Sequence, residues 1–265
     1  MLNFAYHRPT SVNEAIGFLK SNPDAKALAG GQSLLAAMKL RLAGPSDLVD
    51  IGGIAELRNI GLRGNTLGIG ALATHAEVAA SSDVKRSIPA LAALAEGIGD
   101  RQVRNRGTIG GSIANNDPAA DYPAALLGVG ASVRTSSRVI AADDFFTGMY
   151  ETALDPGELI VSIEFPVPLK AGYVKFRQSA SRFALVGVWV SQTAGGVRVA
   201  VTGAATSAFR VAEMEQALSR SFSPEVIATI RVPADSLNSD IHADAEYRAH
   251  LVTVIAQRAV KAALG

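Results

Sequence analysis

Two stretches of this chain carry residue types at spacings that suit phosphate binding. Ala29-Gly30-Gly31-Gln32-Ser33-Leu34 follows a short apolar run, and Thr108-Ile109-Gly110-Gly111-Ser112 opens a second glycine-rich segment that continues through Asn115 to Asp121. Glycine frees the backbone to take positive φ and lets a bulky ligand come close, so that main-chain amides can point at an anion. Thr108, Ser112 and Asn115 add short hydrogen-bonding side chains, and Asp121 adds an acceptor suited to ligand hydroxyls. Taken singly, either stretch reads equally well as a tight turn between buried elements, because short glycine motifs recur without function. Neither is a familiar nucleotide fingerprint. No Gly-Lys-Ser/Thr follows the first, and Gly68-Ile69-Gly70-Ala71-Leu72-Ala73, which fits G-x-G-x-x-A, runs into a capping box at Thr74 and Glu77 instead of a βαβ unit.

The elements that must position these loops follow from the apolar pattern. Ser11 and Glu14 form a capping box that opens a helix to about Ser21. Ala25 to Ala29 reads as a strand that empties into the first glycine loop, and Leu34, Leu35, Met38 and Leu42 mark the helix leaving it, with Ser33 as its cap. A strand, a glycine loop and a helix in that order offer unpaired amides and the positive end of a helix dipole. A strand over Asp47 to Ile51, a hairpin turning at Arg63-Gly64-Asn65, and helices over Thr74 to Ala80 and Ile88 to Glu96 come next. Arg101, Arg104 and Arg106 precede the second loop and read as solvated or as facing a neighbouring subunit. Beyond that loop a helix starting near Pro118 holds Asp121.

Strands over Ala131 to Thr135, Val139 to Ala141 and Leu159 to Phe165 follow, and Pro166-Val167-Pro168 punctuates the chain. Three further strands are expected at Tyr173 to Gln178, Leu185 to Ser191 and Val197 to Thr202, and the remainder is helical. In the last helix the spacing turns Glu246, Tyr247, Arg248 and His250 outward.

Composition narrows the chemistry. Lys and Arg number 25 against 24 Asp and Glu, so no global field draws the chain to nucleic acid or an anionic membrane. There is no cysteine, which excludes a thiolate nucleophile and any cysteine-held zinc or iron–sulfur centre in this chain. His7, His75, His242 and His250 are scattered without metal-ligand spacing, so no metal is expected. No apolar run approaches the roughly 20 residues of a membrane span, and no signal-peptide pattern opens the chain, so a cytoplasmic address is expected.

With both glycine loops in place, the chain resembles the FAD-binding medium subunit of the molybdenum hydroxylases, the group that includes aerobic carbon monoxide dehydrogenase and xanthine dehydrogenase. The resemblance spans essentially the whole length. It rests on Tyr6-His7-Arg8-Pro9, on Ala29 to Leu34, on Thr108 to Asn115, on Asp117-Pro118-Ala119-Ala120-Asp121, on Gly157-Glu158-Leu159-Ile160 and on Ala245 to Leu251. Two departures stand out. Gln32 occupies a place where some members carry histidine, and Gln178 to Phe183 is less basic than usual, which bears on the electron acceptor.

The resemblance implies an α+β fold. An FAD-binding domain over residues 1–165, with subdomains at about 1–57 and 58–165 in the vanillyl-alcohol-oxidase/PCMH arrangement, would precede a C-terminal domain over 166–265 built on a three-stranded antiparallel sheet with helices. The FAD pyrophosphate would lie between Ala29, Gly30, Gly31, Gln32, Ser33 and Leu34 on one side and Thr108, Ile109, Gly110, Gly111 and Ser112 on the other. Asp121 would take the ribityl or ribose hydroxyls, Ile98, Asn115 and Ile160 would line the flavin, and Arg177 would lie near the ring.

Iron–sulfur clusters and the molybdenum cofactor would reside in small and large partner subunits, in a dimer of heterotrimers, with electrons reaching FAD here and leaving to an external acceptor. A self-sufficient FAD-dependent reductase of related fold is the rival reading. It needs a positioned acid at the flavin, for which Glu151, Glu158 and Glu164 are the candidates by elimination. A non-catalytic module holding some other phosphate is the third. The substrate of such a complex is set by the large subunit and is not written in this chain.

Overall fold

The computed structural model describes residues 1–265, the whole sequence. Buried apolar residues gather into three clusters, each associated with its own sheet. The smallest, around Ala15, Val49, Ile51, Ile54 and Leu57, belongs to a parallel sheet ordered Ala5–His7, Asp47–Asp50, Lys26–Leu28. Helix Val12–Ser21 contributes the fully buried Ala15, and its N-cap Ser11 accepts from the Glu14 amide, so the start of this helix is where the capping pattern places it.

The largest cluster lies against a five-stranded antiparallel sheet ordered Ile60–Arg63, Thr66–Gly70, Ile160–Pro166, Ser132–Thr135, Val139–Ala141. Side chains alternate along a strand, and here Leu67 and Ile69, then Ile163 and Phe165, fall on the buried face. Helices Pro89–Glu96, Ile109–Asn115 and Tyr122–Val129 add to that core. Every residue of Tyr122–Val129 is buried, which suits its almost wholly apolar sequence.

The third sheet is antiparallel and runs in chain order, Lys170–Arg177, Ala184–Thr193, Gly196–Thr202, Phe209–Arg210. The three long strands are the expected ones, and the two-residue Phe209–Arg210 adds a short fourth. In the central strand Val186, Val188 and Val190 join the core formed with helix Ala245–Leu264, while Trp189 points the other way, into the large cluster. Behind it, the Ser191 hydroxyl donates to the Gly128 carbonyl and Arg198 Nε to that of Leu127, tying this sheet to helix Tyr122–Val129. No helix is long and apolar enough to cross a membrane.

Several expectations are corrected. The helix near Asp121 begins at Tyr122 with Pro123 in its first turn, because residues 117–120 close a turn of their own: the Asp117 carboxylate accepts the Ala119 amide and its carbonyl the Ala120 amide. The second glycine stretch is itself half helical, as Ile109–Asn115, capped by Thr108 and ended by Asn116 at φ 42°. Ser33 occupies the N-cap position of Leu34–Lys39 but makes no side-chain capping bond. Arg248 does not face outward. It is buried and donates to the Leu185 and Gly203 carbonyls and to Asp240, since the strand ends beside it leave carbonyls that need donors.

Candidate functional site

Both glycine stretches open onto one cavity of about 600 Å³. In the first, the chain leaves strand Lys26–Leu28, turns at Gly31 with φ 74°, and enters helix Leu34–Lys39. The amides from Ala29 to Leu34 make no hydrogen bond within the protein, and all of these residues line the cavity. Successive unpaired amides at the start of a helix form a ready anion site. The side chains of Gln32 and Ser33 are exposed beside them.

The second stretch works differently from its sequence pattern. The amides of Ile109 and Gly110 are taken by the Ala73 and Ala71 carbonyls, that of Gly111 by Thr108 Oγ1 and that of Ser112 by the Thr108 carbonyl. Gly107, Gly110 and Gly111 do not adopt positive φ. Gly107 and Gly110 provide closeness: a Cβ on Gly110 would lie 2.6 Å from the Cβ of Ala71, and one on Gly107 2.6 Å from His75 Nε2. Gly30 likewise leaves room for the carbonyl of Arg106. These glycines bring three chain segments together, at Gly30, at Ala71 to His75 and at Arg106 to Gly110, and the residues of the first loop line one cavity with Ser112 and Asn115.

Three ionisable side chains on the wall have shifted proton affinities. Asp121 is 4% exposed; its Oδ1 accepts from the Tyr173 hydroxyl at 2.5 Å and its Oδ2 from Lys175 Nζ at 3.0 Å. Burial holds this carboxyl above its ordinary range, and Lys175 and Tyr173 offset part of that rise. His75, in the first turn of helix His75–Ala80, is 5% exposed and its Nδ1 has no partner. Burial, aided by the Arg104 charge, lowers its pKa to about 4, so the ring is neutral at pH 7. At Glu158 burial raises the pKa, but hydrogen bonds from Arg138, Ser137, Thr135 and the Asp155 amide outweigh it and bring it to about 2.

Of the residues named from the sequence, Ala29, Gly30, Gly31, Gln32, Ser33, Leu34, Ile98, Thr108, Gly110, Gly111, Ser112, Asn115, Asp121 and Ile160 line this one cavity. Ile109 and Arg177 do not. Ile109 is fully buried in the large core, as the first residue of a helix whose apolar side turns inward, and Arg177 is exposed at the end of its strand. Sequence reasoning missed His75, Leu28, Leu72, Leu154, Tyr150 and Phe183, which also line it. The capping box at Thr74 fixed where a helix starts, and that start is what delivers His75. Tyr150 and Arg182 stand at positive φ, 57° and 64°, which no residue pattern announced.

The lining suits a long dinucleotide cofactor. It combines an amide row, hydroxyl and amide side chains at the centre, and apolar walls from Leu28, Ile51, Leu72, Ile98, Leu159 and Ile160. Residues 2–168 match a protein family described as the FAD binding domain in molybdopterin dehydrogenase. The nicotine 6-hydroxylase medium subunit of Paenarthrobacter nicotinovorans is 37% identical, over 96% of this chain and 95% of that one. The carbon monoxide dehydrogenase medium chain of Hydrogenophaga pseudoflava is 36% identical, over 98% and 96%. Among solved structures, quinoline 2-oxidoreductase from Pseudomonas putida 86 superposes with a TM-score of 0.90 at 32% identity, covering 99% of this chain and 98% of that one. A cavity built from two apposed glycine segments, on a chain alike from end to end, places this protein in the family of FAD-binding medium subunits of the molybdenum hydroxylases.

Proposed function

We propose that this chain holds FAD in the cavity between its two glycine stretches and serves as the electron-transfer subunit of a molybdenum hydroxylase. The observation that carries this reading is the row of unpaired amides from Ala29 to Leu34 on a single cavity that Ser112 and Asn115 also line. FAD, when bound, supplies the two-electron and one-electron chemistry that links a metal-centre donor to an external acceptor. The chain's own residues bind and orient. The amide row takes the pyrophosphate, the side chains of Thr108, Ser112 and Asn115 offer hydrogen bonds, Asp121 takes hydroxyls, and Ile98 and Ile160 shield the ring from water.

The division into subdomains at about 1–57 and 58–165, in a PCMH-type arrangement, followed by a domain over 166–265, is part of the same reading. The three cores, one for each sheet, support it. So is the assembly with a small iron–sulfur subunit and a large molybdenum subunit, as a dimer of heterotrimers. Its supports are the relatives named as medium subunits and a chain with no cysteine to hold a cluster.

The site's acids argue against a self-sufficient reductase. Glu158 lines the cavity but is held ionised by four donors, Glu164 pairs with Arg134 at 2.8 Å, and neither Glu164 nor the exposed Glu151 reaches the cavity. Glu158 carries no proton to give at pH 7, and the other two lie outside the cavity where an acid would have to act.

The test is the visible spectrum of the chain purified with co-expressed partner subunits, beside a variant carrying Gly110→Val and Gly111→Val. An oxidised-flavin spectrum lost in the variant supports the assignment. A colourless complex that takes up no added FAD sinks it.

A further inference from the structure

Asp121 is a carboxylate with donors already in place. The Tyr173 hydroxyl donates to Oδ1 at 2.5 Å, and the Lys175 ammonium lies 3.0 Å from both oxygens. An ionised carboxylate has about four acceptor sites, so these two donors leave acceptor capacity on a residue that lines the cavity. Tyr173 and Lys175 are two residues apart on strand Lys170–Arg177 and therefore share a face. Gly187, opposite Lys175 in the ladder, has no Cβ to obstruct the Tyr173 hydroxyl. The turn before Asp121 is pinned to the same sheet: Thr202 Oγ1 donates to the Ala120 carbonyl and the Gly203 amide to that of Pro118. Lys175 is the ammonium at this carboxylate, its side chain 10% exposed, and the phenols of Tyr173 and of Tyr122 on the adjoining helix are ionisable groups that the Asp121 charge also reaches.

We propose that Lys175 and Tyr173 are positioning residues, which keep Asp121 ionised and aimed so that its remaining lone pairs accept hydrogen bonds from the hydroxyls of the polyol chain of FAD. This rests on the reading of the cavity as the FAD site. The C-terminal sheet thereby completes a cofactor contact whose acceptor belongs to the preceding part of the chain. Without the ammonium, a carboxyl this deeply buried favours its neutral form. A neutral carboxyl accepts less strongly, and its proton needs a partner of its own.

The experiment measures FAD affinity across pH by flavin fluorescence, using the deflavo form of the assembled complex. Lys175→Met should weaken binding by roughly 10- to 100-fold at pH 7, the span of one charge-assisted hydrogen bond. It should also move the pH at which affinity declines upward, with tighter binding recovered at alkaline pH. Lys175→Arg should restore most of the affinity, and Tyr173→Phe should give a smaller loss. A Lys175→Met complex with wild-type affinity and an unmoved pH midpoint overturns the proposal, and so does a uniform loss at every pH, the mark of a purely structural role. Asp121→Asn separates the two layers. Unchanged affinity there removes Asp121 from the cofactor contacts and takes the proposal with it. A loss with Asp121→Asn but none with Lys175→Met leaves the FAD site standing and removes only the positioning role.

Discussion

The carbonyl of Arg106 occupies the space that a side chain on Gly30 would need. The first glycine loop is therefore built flush against the segment that leads into the second, and the cavity depends on that contact. Gly30→Ala must push the two apart. It should cost about 1–3 kcal/mol of stability, the usual range for overpacking, and lower the FAD content of the purified complex several-fold. Gly17 is the control, since it lies exposed within helix Val12–Ser21 with nothing near its absent Cβ. Gly17→Ala should stabilise by roughly 0.5–1 kcal/mol. Thermal melts and the 450 nm flavin band read both, and a Gly30→Ala protein with full flavin and an unshifted melt would falsify the account of the cradle.

Gly128 stands in the same relation to Trp189. A Cβ there would enter the indole ring, which is fully buried between the C-terminal sheet and helix Tyr122–Val129. Gly128→Ala should destabilise by about 1–3 kcal/mol. Trp189 is the single tryptophan of the chain, so its emission reports this junction directly. The expected result is an earlier thermal transition with a red-shifted emission maximum. An unaltered spectrum and melt would mean that the sheet and helix separate without cost.

Much of this was legible in the sequence, and the misses have physical causes. Capping boxes located helix Val12–Ser21 and helix His75–Ala80, and apolar runs bounded by proline and glycine punctuation located the long strands of the C-terminal sheet, because those signals are local. The glycine pattern located the cavity but misassigned the division of labour. Whether an amide is free depends on which carbonyl another segment brings to it, and for Ile109 and Gly110 those carbonyls come from Ala73 and Ala71. The burial of Arg248 was hidden for the same reason: its acceptors, Leu185 and Gly203, lie 63 and 45 residues away. Helices Ser82–Ser87 and Arg101–Arg104 were too short for periodicity to register.

His75 gives the protein an acid-sensitive element inside the site. Its pKa is lowered from 6.5 to about 4 by burial, so the unfolded chain takes up this proton before the folded one does. The stability it favours is complete above about pH 6.5 and declines as pH falls towards 4, by on the order of 3 kcal/mol for a shift of that size. His75→Gln keeps a neutral polar side chain of similar size and removes the titration. Denaturant melts at pH 7.5, 6, 5 and 4.5 should show the wild type losing stability relative to the variant as pH falls. Parallel curves would show that this imidazole titrates alike in both states.

Glu158 titrates on the other side of neutrality from any role as an acid. Its side chain is 3% exposed and bonded by Thr135, Ser137 and the Arg138 guanidinium, and its pKa falls from 4.5 to about 2. Because the folded value is depressed, the stability it adds is fully present above about pH 4.5 and is lost as pH falls towards 2. Glu158→Gln removes the charge and leaves Arg138 without this partner, which should cost about 1–3 kcal/mol at pH 7. That deficit should shrink steadily below pH 4.5, as the wild type surrenders the same contribution. Between pH 6 and 8 Glu158 holds no proton to give, so flavin reduction in the assembled complex should show no pH step that Glu158→Gln abolishes. Such a step, present in the wild type and absent from the variant, would restore Glu158 as an acid at the flavin and reopen the reading of a self-sufficient reductase.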